Sequence, residues 1–282
     1  PAGAHLLLVG DVDQLPPVGP GAVFRDIVSS GAVPVVSLKT IFRQAEGSAI
    51  ISNAHLINSG QAPLTGKEIT DFFLFKESRP ETAAQLIADL AASRVPKRFS
   101  LDAAEDIQVL APVYGGLCGV DALNTLLQEA LNPAGPEKSE RRYGNTTFRV
   151  GDKVMQVVND YDRLVFNGDV GRITRIDTEE REVQVRFEPD VVATYGFQEL
   201  DELSLAYAIS IHKAQGSEFR AVIIPVLRGH GRILERSLLY TAVSRARELV
   251  VLVGEPETLR HAAQISRTAE RNSNLALWLR GQ

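Results

Sequence analysis

The sequence predicts an α/β protein, with a mainly parallel sheet covered by helices on both faces and a small β-barrel inserted in it. Three observations carry this. Short, continuously apolar runs at Leu6–Val9, Ile107–Ala111, Ala221–Leu227 and Leu249–Val253 alternate with helical patterns, as strands buried on both faces do. Polar clusters stand directly beside these runs, in the loops at strand ends where open α/β sheets place ligands. Between residues 146 and 200 the period changes to two: Val183, Val185 and Phe187 alternate with Gln184 and Arg186, and Asn167-Gly168 is a tight-turn signal.

The 282 residues suffice for one large core or two modest ones, and 44% hydrophobic with 23% charged residues is ordinary for a globular chain. A single cysteine, Cys118, excludes an internal disulfide, and no apolar run approaches the ~20 residues of a membrane span, so a cytoplasmic protein without membrane contact is expected. The net charge of −5 speaks against a protein that coats DNA. Locally the balance reverses: from Tyr207 to Arg247 there are seven cations and two anions.

Taken in order, Leu6–Val9 is expected as a buried strand running into Gly10-Asp11. The loop DVDQLPPVGPG then holds Asp11, Asp13 and Gln14 on backbone stiffened by Pro16, Pro17 and Pro20. A helix is expected over Phe24–Val28 and a second strand over Val33–Leu38, followed by the loop Ile41–Gln44 with Arg43. Helices follow over Ile50–Ile57 and Pro80–Val95, the latter with Ser78 near its N-cap and Pro96 as its stop; Asp71–Phe75 supplies a short apolar element between them. Ile107–Ala111 is a strand closed by the Gly-rich loop that contains Tyr114. The helix Val120–Leu131 has apolar positions at Val120, Leu123, Leu127 and Leu131.

Residues 132–143 are polar and mark a boundary. Strands of the barrel are expected at Lys153–Val158, Asp169–Ile176, Glu182–Phe187 and Val191–Phe197. The stretch Leu205–Phe219, LAYAISIHKAQGSEF, fits either strand or helix. A strand at Ala221–Leu227, a helix from Arg236 to Arg247, the strand Leu249–Val253 and terminal helices over Arg260–Trp278 complete the chain.

Phosphate chemistry needs a phosphate cradle, a magnesium carboxylate and cations that meet the γ-phosphate. The nearest approach to a cradle, Gly60 to Glu68, has five residues between its glycines and Glu68 where Ser or Thr should stand, so this chain by itself is not expected to hydrolyse ATP. It does carry completing groups. Arg43 and Arg245 each lie next to a predicted strand and suit the role of arginine finger, Gln14 can orient a water, Gly216 permits close backbone approach, and Glu218 can accept from a ribose. His212 and Lys213 carry donors suited to a sugar-phosphate backbone. No metal-ligand spacing and no Cys-His pair is present, which removes metalloenzyme and cysteine-hydrolase readings.

The ordered series GDVDQLPPVGPG, IFRQ, SIHKAQGSEF and YTAVSRAR resembles motifs III, IV, V and VI of superfamily 1 helicases, most closely the RecD-like and TraA-like branch. The resemblance spans Leu6–Val253. It implies two RecA-like domains with ATP and Mg2+ in the cleft between them and single-stranded DNA, or a single-strand/duplex junction, across the top. By position, Gly10, Asp11, Gln14, Arg43, Gly216, Glu218 and Arg245 resemble ATP-facing residues, with Gln14, Arg43 and Arg245 catalytic, and His212 and Lys213 resemble DNA contacts. The inserted strands resemble an SH3-like barrel. Residues 1–32 then correspond to the end of the first RecA-like domain, 33–145 with 201–282 to the second, and 146–200 to the barrel.

Motifs I, Ia and II are absent from the sequence, so the resemblance is to a C-terminal half whose ATP and Mg2+ are held mainly by a missing N-terminal RecA-like domain. Members of that branch translocate 5′ to 3′, and some work beside recombination and repair nuclease subunits. The alternative reading is a non-catalytic nucleic-acid-binding or assembly module built from the barrel and the basic region.

Overall fold

The computed structural model describes residues 3–38, 48–267 and 273–281. In chain order it contains α1 (Val23–Ser30), α2 (Ala49–Asn58), β1 (Phe72–Lys76), α3 (Pro80–Asp89), a π-helical turn (Leu90–Arg94), α4 (Val95–Phe99), β2 (Ile107–Ala111) and α5 (Val120–Leu131). The hairpin β3 (Glu140–Tyr143) and β4 (Thr146–Arg149) follows, then β5 (Lys153–Gln156), β6 (Val170–Asp177), β7 (Glu182–Phe187), β8 (Val191–Gly196), β9 (Leu203–Leu205) and β10 (Ala208–Ser210). The chain continues through β11 (Phe219–Val226), α6 (Arg236–Val243), β12 (Ala246–Gly254), α7 (Pro256–Gln264) and α8 (Leu275–Leu279).

Five strands form an all-parallel sheet in the order β1-β12-β11-β2-β10. Its central strands are apolar throughout because both faces are covered. Alternate residues sort to opposite sides: Val109, Ile223 and Val251 pack with α3 and α5, whereas Leu110, Ile224 and Leu252 pack with α2, α6 and α7. A second sheet, antiparallel in the order β8-β7-β6-β5-β9, buries Val154, Ile173, Val183, Val185, Phe187 and Tyr195. These residues belong to the same hydrophobic cluster as the α3–α5 face of the parallel sheet, so the inserted strands share a core with it.

Between Leu203 and Ser210 the chain leaves one sheet and enters the other, which resolves the ambiguity of this stretch in favour of extended backbone. Ladder partners are lost at such a transfer, and buried side-chain amides replace them. Gln108 Nε2 donates to the carbonyls of Ala206 (3.0 Å) and Tyr207 (2.9 Å). Asn124 donates to those of Leu205 (3.1 Å) and Ala208 (2.8 Å) and accepts from the Ala208 N–H (2.9 Å). Beside them the fully buried Asp152 carboxylate accepts from Gln128, Asn132, the Arg149 N–H and the Tyr207 hydroxyl at 2.6 to 2.9 Å. Burial pushes its pKa upward against those four bonds.

Several expectations are corrected. Leu6–Val9 and Val33–Leu38 are exposed and are not strands, because no strand of the described residues lies beside either to pair with it or cover it. The helix from Pro80 does not stop at Pro96. The π-turn, with the Val95 N–H on the Leu90 carbonyl, carries it past the proline to Phe99, and Ser100 closes it in the left-handed region. At its start the expectation holds, Ser78 standing next to the N-cap, Arg79. The 132–143 boundary contains the start of a hairpin, and α6 ends at Val243 so that Arg247 lies within β12.

Candidate functional site

The stiff loop after Gly10 is held against the body of the molecule at several points. Within it, Asp11 accepts the Asp13 N–H (2.9 Å) on one carboxylate oxygen and Gln14 Nε2 (3.0 Å) on the other, a side-chain-closed turn. Outward, the Tyr240 hydroxyl of α6 donates to the same Asp11 oxygen at 3.1 Å, and the Leu15 N–H donates to the Thr241 hydroxyl at 2.9 Å. Asn58, at the end of α2, donates to Asp13 (2.8 Å), and Gln215 donates to the Leu15 carbonyl (2.9 Å). Gly10 sits under Phe24, whose ring lies 3.0 Å from where a Cβ would stand.

Arg245 follows the last turn of α6 and is only 7% exposed. Its guanidinium donates to the carbonyls of Thr241 (3.2 Å) and Ser217 (3.1 Å) and to the Ser244 hydroxyl (3.1 Å). The arginine is thus fixed between the end of α6 and the turn Gly216–Glu218, and its own carbonyl accepts the Phe219 N–H (2.9 Å). Gly216 has φ 87°, a conformation that favours glycine, and no atom within 4 Å of a built Cβ, so the backbone there is open to a ligand. Glu218 is exposed at the start of β11.

The sheet registers separate the two halves of Leu205–Phe219. Ser210 lies level with Ala111, the last residue of β2, whereas Ala221, two residues after Phe219, lies level with Ile107, its first. Between Ser210 and Ala221 the chain therefore runs back along the sheet by about 13 Å. His212 and Lys213 follow the end of β10, Glu218 and Arg245 directly precede β11 and β12, and Gly216 lies between them in a run of turns in which the Gln215 N–H bonds the His212 carbonyl and the Ser217 N–H that of Ala214.

His212 and Lys213 do not face the same space. His212 lines a cavity of 380 Å³ with Leu15, Pro16 and Leu238, near Arg232 and Arg267. Lys213 lines a larger cleft of 740 Å³ between α5, β4, β5 and β10, shared with Tyr114, Asn124, Thr147 and Met155. Partial burial lowers the pKa of both, by disfavouring the charged form of each. Arg43 lies outside the described residues. Two participants escaped sequence reasoning, Tyr240 and Thr241. Both lie in the YTAVSRAR run, but only its arginine stood out. No group of three or more His, Cys, Asp or Glu side chains suited to a metal occurs among the described residues, and none of their helices is long and apolar enough to cross a membrane.

Comparison with known proteins agrees with this architecture. Residues 123–187 match the ATP-dependent RecD-like DNA helicase SH3 domain, residues 205–253 the UvrD-like helicase C-terminal domain, and residues 1–72 an AAA domain. Over 98% of its length the chain is 35% identical to an ATP-dependent RecD2 DNA helicase of Deinococcus radiodurans, of which it covers 36%. Over the same share it is 31% identical to the RecBCD enzyme subunit RecD of Mycobacterium tuberculosis, of which it covers 49%. It therefore spans half or less of the length of these relatives. A crystal structure of Bacteroides Pif1 bound to ssDNA superposes over 98% of this chain and 66% of that one with a TM-score of 0.53 at 21% identity, a likeness of fold. With the SH3-like and UvrD-like modules in one chain, on a RecA-like parallel sheet, the protein belongs to the RecD-like branch of the superfamily 1 helicases and corresponds to their C-terminal half.

Proposed function

We propose that this chain supplies the C-terminal part of an ATP-dependent DNA helicase or translocase with 5′-to-3′ polarity. Residues 1–32 end the first RecA-like domain, 33–145 with 201–282 form the second, and 146–200 form the inserted barrel. ATP with Mg2+, held mainly by residues of an N-terminal RecA-like domain, would supply the phosphoryl group and its charge. This chain completes that site. Arg43 and Arg245 bring guanidinium groups to the γ-phosphate, Gln14 orients the attacking water, Gly10 and Asp11 shape the loop that carries Gln14, and Gly216 and Glu218 admit the nucleotide at the start of β11.

His212 and Lys213 grip single-stranded DNA from the turns that precede Gly216. The cavity beside His212 has apolar walls, with Arg232 and Arg267 beside Glu235 among its lining, and could take a base and its phosphate, while the cleft beside Lys213 sets Tyr114 where it can stack. Recombination and repair nuclease subunits are proposed as partners of the whole protein.

One observation carries this reading. The loop with Gln14 is hydrogen-bonded both to the helix that leads to Arg245 and to Gln215, in the segment joining the DNA-facing and nucleotide-facing ends. Such a segment can pass a change at one site to the other. The test is ATP turnover of the full-length protein with and without single-stranded DNA, for wild type, Arg245→Lys and Arg245→Ala. Removing a transition-state arginine is expected to lower kcat by roughly 10³-fold or more, and lysine, without the planar fork, to restore little of it. Wild-type turnover in both variants, with DNA affinity intact, would favour the non-catalytic module instead.

A further inference from the structure

We propose that Tyr240 is a positioning residue for Gln14, acting through Asp11, so that the glutamine is aimed only while α6 is docked on the loop. The inference rests on the helicase reading and extends it to a residue with no charge and no expected contact with nucleotide.

The geometry is specific. One oxygen of Asp11 accepts two donors, Gln14 Nε2 at 3.0 Å and the Tyr240 hydroxyl at 3.1 Å, while its other oxygen is engaged by the Asp13 N–H. With Nε2 tied to Asp11, the Gln14 amide can present its carbonyl oxygen outward, which is the acceptor an attacking water needs. Without the Tyr240 hydroxyl, Asp11 keeps its turn with Asp13 but loses this tie of its side chain to α6. Burial and the neighbouring Asp11 push the Tyr240 phenol upward, so it stays a proton donor through the neutral range.

Adjacent links run along the same helix. Thr241, the next residue, accepts the Leu15 N–H through its hydroxyl and the Arg245 Nε through its carbonyl. The Ser244 N–H bonds the Tyr240 carbonyl, and the Ser244 hydroxyl accepts from Arg245. Helix α6 is thereby a rigid bar with the Gln14 loop on one side and Arg245 at its end. A helical turn that moves one moves the other.

The experiment is a double-mutant cycle on the full-length protein, measuring kcat and KM for ATP with single-stranded DNA for wild type, Tyr240→Phe, Gln14→Ala and the double variant. Phenylalanine keeps the ring and its packing and deletes only the donor. Tyr240→Phe is expected to lower kcat by roughly three- to tenfold, the scale of one hydrogen bond, at unchanged KM and melting temperature. In the Gln14→Ala background it is expected to add nothing. Equal losses in both backgrounds would show that Tyr240 acts independently of Gln14 and overturn the proposal, as would a melting temperature that falls with the activity. If Gln14→Ala itself leaves kcat at the wild-type value, the assigned role of Gln14 fails, whatever Tyr240 does.

Discussion

Lys153 is 6% exposed, and its ammonium donates to the Ala104 carbonyl (3.0 Å) and the Gln108 side-chain oxygen (3.1 Å), with no carboxylate of the described residues in direct contact. Burial lowers its pKa to about 8; Glu105, Asp102 and Glu188 act against that shift, and Arg172 reinforces it. Below pH 8 the lysine is protonated in both folded and unfolded chains, and the full burial cost is present. Between pH 8 and about 10.5 the unfolded chain binds more protons, so this group makes the fold more stable as pH rises, by roughly 3 kcal/mol across the window. Comparing urea unfolding of wild type and Lys153→Met from pH 7 to 10 should show the wild type gaining stability relative to the variant. Parallel curves would sink the assignment. Nothing in the sequence marks Lys153 or Asp152 as buried: they follow Gly151 at a turn and read as surface charges, since burial of a polar residue depends on partners distant in the chain, here Gln108, Gln128, Asn132 and Tyr207.

The elements that were legible are those whose pattern is set locally. Helix α5 spans the residues its apolar spacing implies, and β7 the residues of its alternation, because each buries one face against a neighbour that is always present. Leu6–Val9 and Val33–Leu38 look equally strand-like, yet a strand exists only with a partner. The crossing from β9 to β10 shows the converse, with backbone groups that have lost their ladder being completed by side chains from α5 and β2. Asn124→Leu should remove all three bonds to Leu205 and Ala208 while keeping the volume. Unmet buried carbonyl and N–H groups are expected to cost about 2–4 kcal/mol and to speed hydrogen exchange at the Ala208 amide. Unchanged exchange there would mean that another group satisfies the crossing. For the candidate site, the stiff loop around Gln14 and the helix before Arg245 were legible because both are short-range patterns. The different cavities that His212 and Lys213 line were not, since they follow from elements distant in the chain packing around one turn.

Over the whole molecule, residues 3–38 form an arm whose contacts with the rest of the described residues include two anchoring regions. One is the loop Asp11–Leu15 on α2 and α6. The other is α8, which packs on α1 and caps its C-terminal end, Arg280 donating to the carbonyls of Ser30 (3.0 Å) and Ser29 (2.8 Å). Truncation after residue 272 is expected to raise hydrogen exchange in α1 while leaving β11 and β12 protected, and exchange in α1 equal to wild type would show that α8 does not hold it. The packing of α8 on α1 also makes the molecule a closed loop, because α7, with Leu259 and Ala262 buried, is fixed to the parallel sheet. The beginning and the end of the described chain therefore lock one another, and any displacement of the arm that breaks the Arg280 bonds must first peel α8 from α1.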